Sequence, residues 1–398
     1  MHLRISISRR RLKTRIARCF SASISDGAAG QIFYDRDYHV HLGGAIPPQL
    51  IEKWIENNDI STDVTVPDIV ASTRFVHPVV TVRDALIQYR EAIQMTNKLA
   101  KKHFCQLTTT QNLPTFLTMY RAYSQRHLLH EYAATIARDE FMHPKADARV
   151  SLPVPNDISS HSKRCEMPRE YANRAMDEMI YFQSSLLPTQ ILFISIPHQT
   201  FNKYKNHDYF DAFIDLLSER KNDLSTNLVS APMFTNKQLS FDFAGQPLPL
   251  SQTVQPVSKL RNTFPEAMIC YHHGEVCPGI SFGDRVRDTF ELLPYVNRIG
   301  HGLCFGLALL NLYSEENGVL KDKTTIDRAT LEVNRNLALQ CLSIMAQRNI
   351  GIEISPTCNI TLGSAFSPDV LRRYVAAFLQ EGVHIFLGTD DPAFLNTT

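Results

Sequence analysis

Apolar runs of strand length, each stopped by glycine, proline or small polar residues, recur at Asp37–His41, Ala146–Leu152, Gln190–Ile196, Leu239–Phe243, Ala267–His272, Arg298–His301, Gly351–Ser355 and His384–Gly388. Runs of this kind predict buried β-strands. Between most of them the apolar period lengthens. Tyr209, Phe210, Phe213, Ile214 and Leu217 recur at helical spacing, as on a helix packed against a sheet. Ser367-Pro368-Asp369 reads as a helix start, with Ser at the N-cap and Pro at the first helical position. Leu371, Tyr374, Val375, Phe378 and Leu379 continue that helix, and Gly382 supplies its stop. Strands alternating with helices in this way predict an α/β fold, the (β/α)₈ TIM barrel.

Two segments depart from a minimal barrel. About a hundred residues separate the first two strands. Their pattern is largely helical, with Leu113, Phe116, Leu117 and Tyr120 in one apolar stripe. This predicts a helical insertion after strand one, serving as core or as a lid over the barrel mouth. The chain also stops ten residues after Gly388, which leaves no room for an eighth helix. Phe394 and Leu395 could cover only part of the last strand, so the expectation is a truncated product, or a partner or self-association on that side.

Composition narrows the class. The hydrophobic share of 44% suits a sizeable core. No apolar run approaches membrane-spanning length, so no membrane partner is expected. The eight cysteines form no C-x-x-C pair, which reads as reduced thiols of an intracellular, cytoplasmic protein. The net charge of +1 hides an asymmetry. Arg4, Arg9, Arg10, Arg11, Lys13, Arg15 and Arg18 fall in residues 1–25, which hold no acid. The remainder is mildly acidic, which argues against nucleic acid as a partner. The chain thus divides into a basic head, residues 1–30, expected to be disordered, and a barrel over 31–398. The Arg- and Ser-rich head also has the composition of an organellar transit peptide.

Catalytic residues of a (β/α)₈ barrel sit at the C-terminal strand ends. Four predicted strands end there in metal-capable or acid–base residues. His39 and His41 close strand one, His272 and Glu275 follow strand five, His301 follows strand six, and Asp390 and Asp391 follow strand eight. His39 and His41, two apart on a strand, point the same way and can reach one ion. His273, alternating with His272, points away. A catalytic zinc takes three or four N/O ligands and keeps an open position for water, and a nearby carboxylate then moves protons.

At these residues the chain resembles the adenosine and AMP deaminase family. His39, His41, Leu42 and Gly44 match its H-x-H-L-D-G motif, His272, Gly274 and Glu275 its H-A-G-E, Gly300-His301-Gly302 its G-H-G, and Asp390-Asp391-Pro392 its D-D-P. Asp242-Phe243-Ala244-Gly245 is similar to a D-L-A-G run whose glycine approaches the purine. Ser355-Pro356-Thr357-Cys358-Asn359 looks like the family's loop after strand seven. The resemblance implies one zinc ion held by His39, His41, His272 and Asp390, and hydrolysis of the 6-amino group of a small-molecule adenine nucleoside or nucleotide. It implies that Glu275 protonates N1 of the purine, that His301 orients the attacking hydroxide, and that Asp391 holds N7. Ammonia and a 6-oxopurine result.

One position departs. Gly43 stands where many members carry an aspartate that accepts from the ribose 5′-hydroxyl. Its loss removes that acceptor and a charge that would repel a phosphate. A 5′-modified adenine compound such as AMP or ATP is therefore the expected variation.

Two rivals remain. A two-metal hydrolase of the wider superfamily would need a carboxylated lysine after strand four, where this chain has Phe243-Ala244-Gly245-Gln246. A catalytically impaired, truncated relative acting as a binding protein would need no complete ligand set. The H-x-E…P-C-x-x-C deaminase spacing is absent, as are P-loop and G-x-G-x-x-G signatures.

Overall fold

The computed structural model describes residues 29–42, 45, 145–151, 172–173, 176–177, 179–180, 186, 189–197, 207–227, 239–244, 250–274, 282–310, 313–314, 320–321, 328–361 and 368–392. A short strand β1 (Ile32–Phe33) comes first. It is too short for any alternation to announce it in the sequence. Then follow β2 (Asp37–His41), β3 (Ala146–Ser151), β4 (Ile191–Pro197), β5 (Ser240–Ala244), β6 (Met268–His273) and β7 (Arg298–His301). An antiparallel pair, β8 (Tyr313–Ser314) and β9 (Leu320–Lys321), precedes β10 (Gly351–Ile354) and β11 (Ile385–Leu387). All eight predicted strands form, to within a residue at either end.

Nine strands make one sheet in the order β1-β11-β10-β7-β6-β5-β4-β3-β2, with every pairing parallel. β2, at one end of the run, meets the segment just beyond β11 at the other. Val40 bridges Asp390, His41 N–H donates to the Asp390 carbonyl at 2.8 Å, and the N–H groups of Thr389 and Asp390 both donate to the His39 carbonyl. The sheet therefore curls into a TIM-barrel-like α/β fold. Asp37 clamps this seam. Its carboxylate accepts from Thr389 Oγ1 at 2.6 Å and from Thr389 N–H at 3.0 Å.

Seven helices are described: α1 (His207–Asn227), α2 (Leu250–Thr263), α3 (Phe282–Leu292), α4 (Leu303–Leu309), α5 (Arg328–Gln347), α6 (Pro356–Thr361) and α7 (Pro368–Gln380). α1 buries Phe210, Phe213, Ile214 and Leu217, and α7 buries Leu371, Tyr374, Val375, Phe378 and Leu379, the positions their spacing predicts. Gly382 ends α7 at φ +84°. Gly382 N–H donates to Leu379 O and Val383 N–H to Phe378 O, the paired bonds of a Schellman stop. Among the described residues no helix is long and apolar enough to cross a membrane. The head, the Leu113–Tyr120 stripe, Ser367, Phe394 and Leu395 lie outside the described residues.

The barrel interior carries charge where branched apolar side chains are usual. Parallel register places Arg149 beside His41, Asp242 beside Cys270, and Cys270 beside Arg298, all on the inner face. An ionic layer thus lies beneath the C-terminal mouth.

The seam yields a test. Asp37→Ala strands the Thr389 hydroxyl and leaves Thr389 N–H only the His39 carbonyl; it is expected to cost about 2 kcal/mol, and Thr389→Val about 1 kcal/mol, in urea-midpoint shifts. An Asp37→Ala protein with an unchanged midpoint would show that the carboxylate does not hold the seam.

Candidate active site

Beyond a register shift between Asp37 and Val40, the end of β2 brings His39 and His41 to one face, with their rings 5.3 Å apart. β6 brings the His272 ring to 4.6 Å from His39 and 5.5 Å from His41. The His301 ring, at the end of β7, lies 5.1 Å from His39 and 5.0 Å from His272. Across the seam, Asp390 Oδ1 stands 4.0 Å from His39 Nε2 and 3.7 Å from His41 Nε2, and Oδ2 stands 3.8 Å from His301 Nε2. All five side chains are buried. The structure therefore brings together His39, His41, His272, His301 and Asp390, with buried Asp391 next along the chain. His273 packs instead against Tyr271 and Phe305 of α4, on the opposite face, as alternation requires. Gly43, Gly245 and Glu275 lie outside the described residues.

Regular alternation would not deliver His301. In the parallel register His272 pairs with Gly300 and His273 with His301, so His301 should share the outward face of His273. Its backbone turns to φ +64°, and Asp390 turns to φ +67°. Such left-handed conformations cost non-glycine residues about 1–3 kcal/mol each and collect at functional sites. Here they swing both side chains into the mouth. Gly300 makes room beside them, because a Cβ there would sit 2.9 Å from His272 Cδ2.

The electrostatics favour neutral imidazole at His39. Burial, then Arg149, His272 and His301, hold its pKa well below the usual histidine value. Its Nδ1–H donates to Glu353 Oε2 at 2.8 Å, and its buried Nε2 has no hydrogen-bond partner. Glu353 is itself held by Arg149 at 2.5 Å, Arg298 at 3.1 Å and the Cys270 thiol at 3.2 Å. Burial would raise the Glu353 carboxyl, but Arg149 and Arg298 outweigh it and hold it below its usual value. Asp242 stands with Oδ2 3.2 Å from His272 Nε2 and 3.3 Å from Arg149 Nε. Burial opposes its ionisation as well, and His272 and Arg149 overcome it.

Among the described residues three buried triplets hold possible ligand atoms within 4.8 Å of one another: His39, His272 and His301; His39, His41 and Asp390; and His41, Asp242 and His272. The donor set fits a metal. It offers imidazole nitrogens and carboxylates, the ligand chemistry of a catalytic zinc site, and a carboxylate behind His39, the usual support for a ligating histidine. Sequence reasoning missed Arg149, Glu353 and Asn359 as supports of the site. The available signal was charge inside two strands that should be apolar, Asp147 and Arg149 in Ala146–Ser151 and Glu353 in Gly351–Ile354.

No protein-family model matches the chain, and no curated protein sequence does. Among solved structures the chain is similar to the complex of ADAL (adenosine deaminase-like) with IMP, at 13% identity over 96% of this chain and 85% of that one, with TM-score 0.49. Arabidopsis ADAL complexed with IMP is 14% identical over 93% and 83% of the two chains, and the arabidopsis N6-mAMP deaminase MAPDA 14% over 93% and 84%, each with TM-score 0.49. The chemistry of the site rests on its own side chains.

Truncating the Glu353 carboxylate leaves Arg149 and Arg298 buried without their shared partner. Glu353→Ala is expected to cost about 3–5 kcal/mol, read by denaturant unfolding. A loss under about 1 kcal/mol would mean that the ionic layer relaxes without it.

Proposed function

We propose that this chain is a metal-dependent hydrolytic deaminase acting on the 6-amino group of an adenine nucleoside or nucleotide, with zinc as its metal. The observation that carries the reading is the convergence of four buried imidazoles and the Asp390 carboxylate at the C-terminal mouth of the barrel. His39, His41, His272 and Asp390 would hold the ion. When bound it would supply Lewis acidity, lowering the pKa of water toward neutrality.

The remaining work falls to the chain. Glu275 protonates N1 of the purine and makes C6 electrophilic. His301 orients the water oxygen toward C6. Asp391 holds N7 and fixes the ring plane. Water adds to C6, the amino nitrogen takes a proton, the C6–N bond breaks, and ammonia leaves a 6-oxopurine. The ionic layer below keeps the imidazoles fixed during these steps, so little reorganisation is needed as charge develops. β5 ends in Phe243-Ala244 and the sequence continues Gly245-Gln246, without the lysine that a bridged pair of metals uses, and this supports a single ion. At Gly43 no carboxylate side chain opposes a 5′-phosphate, and this favours AMP or ATP over adenosine.

Loss of absorbance at the adenine band should follow when the purified chain meets a panel of adenosine, deoxyadenosine, AMP and ATP, and a chelator should abolish it. His39→Ala should lower the rate by about 10²–10³-fold, the scale of losing a preorganised electrostatic group. Turnover that survives exhaustive chelation would refute the metal. Adenosine consumed far faster than AMP and ATP would remove the phosphate preference. A zinc-loaded protein inert to the whole panel would sink the adenine reading.

A further inference from the structure

His39 and His301 stand side by side, yet partners of opposite hydrogen-bond character hold them from behind. Behind His39 is the Glu353 carboxylate, 2.8 Å from Nδ1. An ionised carboxylate only accepts, so Nδ1 of His39 carries hydrogen. In the neutral ring the lone pair then lies on Nε2. Behind His301 is Asn359 of α6, fully buried, with Nδ2 2.9 Å from His301 Nδ1.

Which way an asparagine amide faces must be reasoned from its neighbours, and here they decide it. Ser355 N–H lies 3.2 Å from Asn359 Oδ1. A backbone N–H only donates, so the oxygen must face Ser355 and the amide NH₂ must face His301. That NH₂ only donates, so Nδ1 of His301 must accept. The hydrogen of the neutral His301 ring therefore sits on Nε2, the nitrogen that points into the mouth 3.8 Å from Asp390 Oδ2.

We propose that Asn359 is a positioning residue that locks His301 in the Nε2–H tautomer. Among the clustered imidazoles, His301 is thereby made a hydrogen-bond donor to the reacting water and not a metal ligand, while Glu353 locks neighbouring His39 in the opposite, ligating tautomer. This decides among the possible ligand triplets, because the set of His39, His272 and His301 loses its third lone pair. Both locks come from one short stretch, the end of β10 and the short helix α6. The part concerning the water rests on the deaminase reading; the two tautomers do not.

The test is a two-bond ¹⁵N–¹H correlation spectrum of the full-length, metal-free chain labelled with ¹⁵N-histidine. His301 signals are assigned by their loss in His301→Gln. The expected spectrum shows His301 protonated at Nε2 and bare at Nδ1, and His39 the reverse. Asn359→Leu removes the lock, so His301 should populate both tautomers, and kcat on the preferred adenine compound should fall about ten- to hundredfold with KM unchanged. The isosteric Asn359→Asp, a second variant should the first not fold, should place a proton on Nδ1. A wild-type His301 protonated at Nδ1 alone, or a His301 spectrum and kcat indifferent to both substitutions, would overturn the proposal. The expected wild-type spectrum in a protein that deaminates nothing would support the tautomer assignment and overturn the deaminase reading instead.

Discussion

Glu353 accepts from Arg149, Arg298, Cys270 and His39 at once, from a position wholly inside the barrel. Burying a carboxylate costs several kcal/mol, and the cost is recovered only when its lone pairs are filled by well-placed donors. Here the donors come from β3, β7, β6 and β2, four strands distant in sequence. Their register is therefore tied to one oxygen pair, since a slip of one residue would turn Arg149 or Arg298 out of the barrel. The His39 ring inherits this rigidity, because its Nδ1 bonds the same carboxylate.

The ionic layer also divides the barrel by height. At its lower edge, Arg298 bonds both Glu353 and Asp147 and lies over the Phe386 and Tyr38 rings. Above it, the imidazoles gather with Asp242 and Asp390. Charge balances locally, with arginines answering Asp147, Asp242 and Glu353. His39 is then held neutral, and neutral imidazole is the form that coordinates a metal.

The site straddles the seam. His39 and His41 come from the first long strand and Asp390 from just beyond the last, joined by the Val40–Asp390 bridge and the Asp37 clamp. The cluster cannot assemble before the ends of the sheet meet, so closing the fold and building the site are one event. The strain at His301 and Asp390 is tolerable for the same reason. Both residues are held in place by strands on either side, and a left-handed backbone persists only where its surroundings over-determine it.

Strand positions were legible in the sequence, because a buried parallel strand needs a short apolar run and a turn residue after it, and both are local. So was the cluster of His39, His41, His272, His301 and Asp390, since barrel chemistry collects at strand ends. The sequence also declared the buried faces of α1 and α7 through their period. What it could not declare were relations between strands. Arg149 and Glu353 read only as charges inside strands, and their pairing depends on inter-strand register. Asp242 stood out only as part of a weak motif, not as the neighbour of His272. The inward turn of His301 comes from one positive φ that no period announces. The tautomers of His39 and His301 depend on which groups lie behind the rings. Local pattern determined which residues this protein brings to the mouth of its barrel. Only the tertiary structure decided how each is held, because hydrogen bonds and ion pairs between distant strands exist only once the sheet has curled.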